Sequence, residues 1–246
     1  MIRVNTLGRL MVAGTLVGLA ASSVRADEMN VIKGKVIFSG NSDDYKRTVL
    51  DTSKDPNCAK NKAKIGSWDV VINKKTEPHT LRNVLVTIKA GLGDRVFPVP
   101  ATPVTLTQVG CEYEPHVLAL MEGQTLQVLN ADDTNHNIHF QPKQNQEHNF
   151  SQPKKDTEKG TELKLVAEDV FKVKCDVHPW MGAYIGVYKH PFFSVTGDDG
   201  TFELKGMPPG KYVVEAWHEK FGTKTAEVEV SPGGQTVTKD FTFDGK

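Results

Sequence analysis

The sequence predicts an all-β protein composed of a β-sandwich or barrel and a second, smaller β-sandwich. Short runs rich in Val, Ile, Thr and aromatic residues dominate the chain after its first 26 residues, whereas helical periodicity is scarce. Clusters of turn-forming residues, such as those at 197–200 and 208–210, separate these runs. Many short strands at this spacing are typical of sandwich and barrel folds.

The predicted strands follow one another along the whole chain after the N-terminal segment. They cover 31–38, 81–89, 117–120, 125–130, 137–140, 171–175, 183–189, 201–205, 212–217, 225–230 and 237–243. The polar stretch 141–160 is predicted to be a long surface loop. Three segments are expected after the N-terminus, namely 27–98, 99–189 and 190–246.

The N-terminal 26 residues have the layout of a secretory signal peptide. Arg3 and Arg9 give a basic start, residues 10–21 are apolar, and small residues precede a cleavage site after Ala26. The apolar run is too short to span a bilayer, although an uncleaved anchor helix is the alternative interpretation. No later stretch is apolar enough to cross a membrane, so we expect a periplasmic or otherwise exported protein.

The charge balance argues against a nucleic-acid partner. The chain carries 30 basic and 30 acidic residues, and three of the arginines fall in the signal segment. The remainder therefore has 27 basic and 30 acidic residues, a net charge of −3. Binding to a phosphate backbone usually needs a basic surface, which this composition does not supply.

The most informative motif is a group of metal-binding side chains near the middle of the chain. Cys175, His178 and Met181 follow one another at three-residue spacing, and His136 lies upstream. A soft thiolate, two imidazoles and a weak axial thioether suit copper that alternates between Cu(I) and Cu(II). A zinc site would more often use paired cysteines or carboxylates. The pattern therefore predicts a type 1 (blue) copper site.

Residues 100–189 resemble the cupredoxins, and the short Cys-x-x-His-x-x-Met loop is most similar to that of the amicyanin type. The resemblance implies a Greek-key β-sandwich and a single type 1 copper ion. It also implies roles for each residue: His136 as the first imidazole, Cys175 as the thiolate, His178 as the imidazole nearest the surface and the electron port, and Met181 as the axial ligand. Asn137 matches the position whose side chain ties the two ligand loops together.

Two alternatives remain for this ligand set. His139 competes with His136, because these two residues point to opposite faces of a strand and only one can ligate. Met181 could instead be an ordinary core residue, which would leave a three-ligand site. Trp180 could pack in the core or form an apolar docking patch around His178.

The remaining histidines are predicted to be surface or packing residues, and the turn at Glu219 and Lys220 to be solvated. These histidines are His79, His116, His148, His190 and His218.

The number of cysteines indicates that one of them is free to bind a metal at the same site. An exported chain with three cysteines leaves one unpaired. The resemblance assigns Cys175 to the metal as a thiolate, so Cys58 and Cys111 are predicted to form a disulfide. The alternative is that these two remain buried thiols.

The C-terminal segment 190–246 resembles the carboxypeptidase regulatory-like β-sandwich, a structural module. The resemblance rests on a Gly-Asp turn at 197–200, a Pro-Pro-Gly turn at 208–210 and the strands beside them. The strands that usually open such a module appear far upstream, at 34–38 and 83–88. One hypothesis is that 27–98 and 190–246 form a single sandwich into which the copper domain is inserted. The other is an N-terminal extension that packs on the copper domain.

These features favour an electron-transfer protein rather than an enzyme. Its partner would be another redox protein, such as a c-type cytochrome or a dehydrogenase. A copper oxidase or nitrite reductase would need a further His-rich centre, whereas the other histidines are scattered. A copper-binding or structural protein without redox turnover is the alternative.

Overall fold

The computed structural model describes residues 29–60 and 65–245. The predicted signal peptide, 1–26, lies outside these ranges. The described residues include one short helix, α1 (Pro56–Ala59), and one 3-10 turn, Ser42–Asp44. Their strands are β1 (Asn30–Phe38), β2 (Ile72–Asn73), β3 (Thr80–Leu81), β4 (Leu85–Ala90), β5 (Val104–Val109), β6 (Glu112–Glu114), β7 (Val117–Met121), β8 (Thr125–Asn130), β9 (His136–Gln141), β10 (Asn149–Gln152), β11 (Asp156–Lys164), β12 (Asp169–Lys174), β13 (Gly182–Tyr188), β14 (Phe193–Val195), β15 (Thr201–Met207), β16 (Gly210–His218), β17 (Gly222–Val230), β18 (Thr236–Thr238) and β19 (Phe241–Phe243). Among the described residues, no helix is long and apolar enough to cross a membrane.

The strands form sheets around two separate hydrophobic cores, which confirms the all-β prediction. One sheet has the order β15-β1-β3-β2, with β18 and β19 also paired to β1, and a second has the order β14-β4-β16-β17. These two sheets supply the side chains of the first core. Sheets β10-β9-β12-β13-β7 and β11-β8-β5-β6 supply the second core.

Strand β8 shows how the alternating pattern builds the second core. Leu126 and Val128 face inward and are fully buried, while their neighbours are partly exposed. Burying such side chains contributes roughly 1.5–3 kcal/mol each. The next inward position is Asn130, whose Nδ2 donates to the carbonyl oxygens of Thr134 and Gln152. These bonds shape the turn that leads to His136.

Strands from the two flanking segments pair with each other. β1 runs antiparallel to β15, with Ile32 opposite Leu204, and parallel to β18 and β19. β4 runs antiparallel to β14 and β16, with Ile88 opposite Val214. Both sheets around the first core therefore combine strands from residues before 99 with strands from residues after 189.

The prediction of a long surface loop at 141–160 is wrong. The structure places β10 and the first part of β11 in this stretch. The polar sequence hides the strand because one inward residue is itself polar: Gln152 is buried and donates through Nε2 to the carbonyl oxygen of Val128. Phe150 packs against the second core.

The turn after β16 also differs from its prediction as a solvated turn. The Glu219 carboxylate is hydrogen-bonded to Nε2 of His116, and only 13% of the Glu219 side chain is exposed. The other ring nitrogen, His116 Nδ1, lies 3.0 Å from the carbonyl oxygen of Gly182, the first residue of β13. Glu219 therefore joins the two β-sheet units.

Candidate metal centre

Two neighbouring strands bring the predicted ligands to one end of the second core. His136 is the first residue of β9, and the loop from Cys175 to Met181 joins β12 to β13. β9 and β13 both pair with β12, so the two parts of the chain meet. Within the loop, the Met181 N–H donates to the His178 carbonyl oxygen at 2.9 Å.

Three of the predicted ligands meet in a buried cluster. His136, Cys175 and His178 are 0%, 2% and 2% exposed. Nδ1 of His136 lies 2.9 Å from Nδ1 of His178, and the Cys175 Sγ lies 3.9 Å from Nδ1 of His178. One ligand atom from each of the three residues falls within 4.8 Å of the others. The cluster offers one sulfur and two imidazole nitrogens to a single point.

A carboxylate lies at hydrogen-bond distance from the Nε2 of each imidazole, on the side away from the cluster. Nε2 of His136 lies 2.9 Å from Oδ2 of Asp132, and Nε2 of His178 lies 3.0 Å from Oδ2 of Asp55. A carboxylate only accepts hydrogen bonds, so each Nε2 carries the proton and donates it. Both Nδ1 lone pairs then face each other, an arrangement that needs a proton or a metal cation between them.

The Cys175 side chain is arranged to be a thiolate. Its Sγ accepts the backbone N–H groups of Asn137 and His178 at 3.4 and 3.3 Å. Burial raises the pKa of this thiol, but the neighbouring His136 imidazole, when it carries a second proton, and the backbone N–H groups outweigh burial and lower the pKa below its usual value. The thiolate is the form that binds metals.

The electrostatics of the first imidazole agree with this arrangement. Burial lowers the pKa of His136, yet its hydrogen bonds with Asp132 and Cys175 raise the pKa overall. The pKa of Asp132 is lowered: burial opposes the shift, and the hydrogen bond from His136 outweighs it. For Asp55, burial is again opposed by stronger hydrogen bonds, from the Cys58 N–H and His178, which lower its pKa to about 2. Both carboxylates are therefore charged at neutral pH.

Asn137 connects β9 to the ligand loop. Its Oδ1 accepts the backbone N–H of Asp176 at 3.0 Å, and its Nδ2 donates to the Phe150 carbonyl oxygen at 3.1 Å. Asp176 directly follows Cys175. The Asn137 side chain therefore holds the thiolate end of the loop against the strand that carries His136.

The structure distinguishes between the two candidate histidines of β9. His139 lies on the opposite face of the strand from His136, where Nδ1 is 2.7 Å from Asp176 Oδ2 and Nε2 is 2.9 Å from Glu147 Oε1. Only His136 joins the cluster with Cys175 and His178. Met181 is buried in the same core, a position that fits both the axial-ligand and the core-residue interpretations.

The predicted disulfide between Cys58 and Cys111 is present, with the Cα atoms 5.7 Å apart. Two further groups of possible ligands contain Cys58 or Cys111, whose sulfurs are in this disulfide and supply no thiolate. Cys175 is the free cysteine.

The resemblance implied that His178 is the imidazole nearest the surface, but in the structure both imidazoles are buried, with His136 0% and His178 2% exposed. His178 is buried because the segment Asp55–Cys58 lies over its outer edge, with the Cys58 Sγ 3.8 Å from Nε2. Trp180 covers another side, its ring centroid 5.0 Å from that of His178. Trp180 is itself partly buried, and its Nε1 donates to the Cys111 carbonyl oxygen at 3.1 Å. Trp180 therefore packs against His178 and the disulfide, and part of its ring stays exposed.

Sequence reasoning missed both carboxylates. Asp132 stands four residues before His136, close enough for the sequence to have suggested it. Asp55 is separated from His178 by 123 positions, and the pattern around it indicates only a helix N-cap.

Comparison with known families and structures gives partial matches. The carboxypeptidase regulatory-like domain matches residues 179–244, which agrees with the resemblance predicted for the C-terminal segment and begins 11 residues before it. A comparison with curated proteins finds no match.

Amicyanin, a purple cupredoxin and a copper-containing nitrite reductase are among the solved structures that match. A reduced tryptophan-to-tyrosine mutant of amicyanin is 22% identical over 42% of this chain and 97% of its own, with a TM-score of 0.31. A purple cupredoxin from Nitrosopumilus maritimus is 24% identical over 34% of this chain and 97% of its own, with a TM-score of 0.28. A copper-containing nitrite reductase from Thermus scotoductus SA-01 is 24% identical over 39% of this chain, with a TM-score of 0.30, and this chain spans only 26% of its length.

Proposed function

We propose that this chain is an exported type 1 copper protein that transfers single electrons between redox partners. The observation that carries the proposal is the buried meeting of His136, Cys175 and His178, with both imidazoles held so that Nδ1 points inward. Copper bound there would supply a one-electron couple between Cu(I) and Cu(II). His136, Cys175 and His178 would hold it, with Met181 as the fourth ligand.

The donor set fits copper for two reasons. The Cys175 thiolate suits Cu(I), and two imidazoles suit Cu(II), so neither state is strongly preferred. The hydrogen bonds that both Nε2–H groups donate to carboxylates, and those that backbone N–H groups donate to the thiolate, fix the side chains before any metal binds. A rigid site needs little rearrangement when an electron arrives or leaves.

Addition of Cu(II) to the mature, metal-free protein tests the proposal. We expect an intense visible absorption band from the thiolate–copper bond. Cys175→Ser should abolish this band, and a band that survives the substitution would refute the assignment. His136→Gln should abolish or strongly alter it, whereas His139→Gln, a matched change on the opposite face of β9, should leave it intact.

A second candidate is a copper-binding or structural protein without redox turnover. The burial of His178 favours it, because an electron partner cannot contact this imidazole directly. Electron exchange with a soluble c-type cytochrome separates the two functions. A blue protein that neither accepts nor donates an electron on a physiological timescale would be a copper-binding protein only.

We also propose that the copper domain, 99–189, is inserted into a sandwich formed by 27–98 and 190–246. The shared sheets around the first core support this division. The insertion points are close together: the rings of Phe97 and Phe192 have centroids 5.1 Å apart, and His190 Nε2 lies 2.9 Å from the Ile88 carbonyl oxygen. Export is proposed on the N-terminal sequence alone, and the mass of the secreted protein would show whether cleavage follows Ala26.

A further inference from the structure

The outer edge of His178 is covered by a segment from outside the domain that carries the other ligands. This segment, residues 55–58, comprises Asp55 and the first residues of α1, and we refer to it as the 55–58 cap. It brings a carboxylate to Nε2 of His178 and a disulfide sulfur to within 3.8 Å of the same nitrogen.

The orientation of Asp55 is set by contacts that do not involve His178. Its Oδ1 accepts the N–H groups of Asn57 and Cys58 at 2.7 and 3.0 Å, which is the geometry of a helix N-cap. Its Oδ2 accepts the hydroxyl of Thr134 at 3.2 Å as well as Nε2–H of His178. These contacts fix the carboxylate without any contribution from the imidazole. The fixed carboxylate allows one orientation of the His178 ring, with Nδ1 directed at Cys175.

A single turn anchors both carboxylates. Cys111, in the turn between β5 and β6, is bonded to Cys58 and so fixes the 55–58 cap. The N–H of Cys111 also donates to Asp132 Oδ2 at 2.8 Å, and Asp132 is the partner of His136. The disulfide therefore gives the cap a covalent link to the part of the copper domain that orders the first imidazole.

We propose that the 55–58 cap closes the metal site at His178 and that Asp55 is a positioning residue for this imidazole. The inference rests on the proposed copper function. Pro56 and Asn57 are exposed on the outside of the cap, so a redox partner would meet these residues and not the imidazole. An electron would then cross the cap, through Asp55 or the disulfide, rather than leave from an open histidine edge.

Two variants separate the effect of the Asp55 charge from the effect of its hydrogen bond to His178. Asp55→Asn keeps a side chain that can cap α1 and accept Nε2–H, but it removes the negative charge behind the ligand. We expect the site to stay closed and the reduction potential to rise, because that charge favours Cu(II). Asp55→Ala removes the contact altogether, and we expect copper affinity to fall about 10- to 100-fold in competition with a chelator. Asp51→Asn is the control, since Asp51 is an exposed carboxylate four residues before Asp55 that accepts the Ser53 N–H and lies outside the cap.

Closure is measured without copper. Metal-free protein is treated with diethyl pyrocarbonate, and modified histidines are located by mass spectrometry. His178 should be protected in the parent and in Asp51→Asn, while His79, whose side chain is 27% exposed, reacts as an internal reference. His178 should become reactive in Asp55→Ala and in the double variant Cys58→Ser with Cys111→Ser. Circular dichroism shows whether each variant remains folded, and reduction of the parent disulfide provides the same release without mutation.

The outcomes distinguish this inference from the proposed function. If His178 stays protected when the disulfide and Asp55 are removed from folded protein, the cap does not close the site and the inference is overturned. If the blue band is normal in the parent but Asp55→Ala leaves the copper affinity unchanged, positioning by Asp55 is overturned while the copper function stands. If the parent forms no blue band, the function fails, and the reactivity of His178 still decides whether the cap closes its edge.

Discussion

Each of the two imidazoles of the candidate metal site donates a hydrogen bond to a carboxylate, but the two carboxylates lie at very different distances along the chain from the histidines that they accept from. Asp132 lies four residues before His136, in the turn that leads into β9. Asp55 lies 123 residues before His178 and comes from the flanking segment. One half of the site is therefore assembled locally, and the other half exists only because two distant segments dock. This difference determines which changes should disturb each half.

The largest effect is expected when the flanking segments are separated. Expressed alone, 190–246 should not fold, because β15 loses β1 and both β14 and β16 lose β4. The control is 27–98 joined by a short linker to 190–246, which should give cooperative unfolding by circular dichroism. A folded, cooperative 190–246 fragment would contradict the insertion.

The next largest effect is a loss of stability on removal of the Cys58–Cys111 disulfide, which holds the 55–58 cap over His178. Cys58→Ser with Cys111→Ser opens a closed loop with a sequence separation of 53. Loop entropy predicts a loss of about 4 kcal/mol in the free energy of unfolding. Urea unfolding of the copper-free protein measures it, and reduction of the parent should reproduce the loss. A variant as stable as the oxidised parent would show that docking of the cap does not depend on the disulfide.

A third buried histidine, His218, shows how burial changes the pKa of an imidazole that has no carboxylate among the described residues at hydrogen-bond distance. Burial lowers the pKa of His218 from 6.5 to about 4, a shift that nearby Glu219 opposes and His116 assists. The unfolded chain takes up a proton near pH 6.5 and the folded chain only near 4, so the stabilisation is present above 6.5 and lost as pH falls towards 4. The loss is about 3 kcal/mol. The free energy of unfolding, measured between pH 7 and 4, should fall steeply with decreasing pH in the parent and less steeply in His218→Phe. Equal slopes in the two proteins would show that His218 does not contribute to the pH dependence.

The smallest effects compare the two carboxylates directly. Asp132→Ala should destabilise the copper-free protein by about 2 kcal/mol, because the N–H groups of Gly110 and Cys111 and the His136 ring lose their acceptor. Asp55→Ala should cost about 2 kcal/mol as well, because the N-cap of α1 and the acceptor of the buried His178 ring are lost together. Asp133→Ala, an exposed neighbour, serves as the control in urea unfolding. A larger loss for Asp55 would show that the distant half contributes more stability than the local half.

The sequence alone identified the local features. The sequence indicated a metal-binding motif at Cys175, His178 and Met181 because these three residues lie at regular spacing in one loop. The odd number of cysteines agreed with the single disulfide that the described residues contain. Alternating residues predicted most strands. The strand at 149–152 was missed because Gln152 occupies an inward position, where a polar residue is satisfied by partners that only the fold supplies.

Tertiary structure decided the rest. The choice between His136 and His139 follows from which face of β9 meets the ligand loop. The burial of His178 depends on Asp55 and Cys58, which reach it because β1 and β4 pair with C-terminal strands and because Cys58 is joined to Cys111. Spacing along a chain encodes contacts within one loop or strand. Contacts between residues more than 100 positions apart arise from sheet pairing and core packing, which no local pattern records.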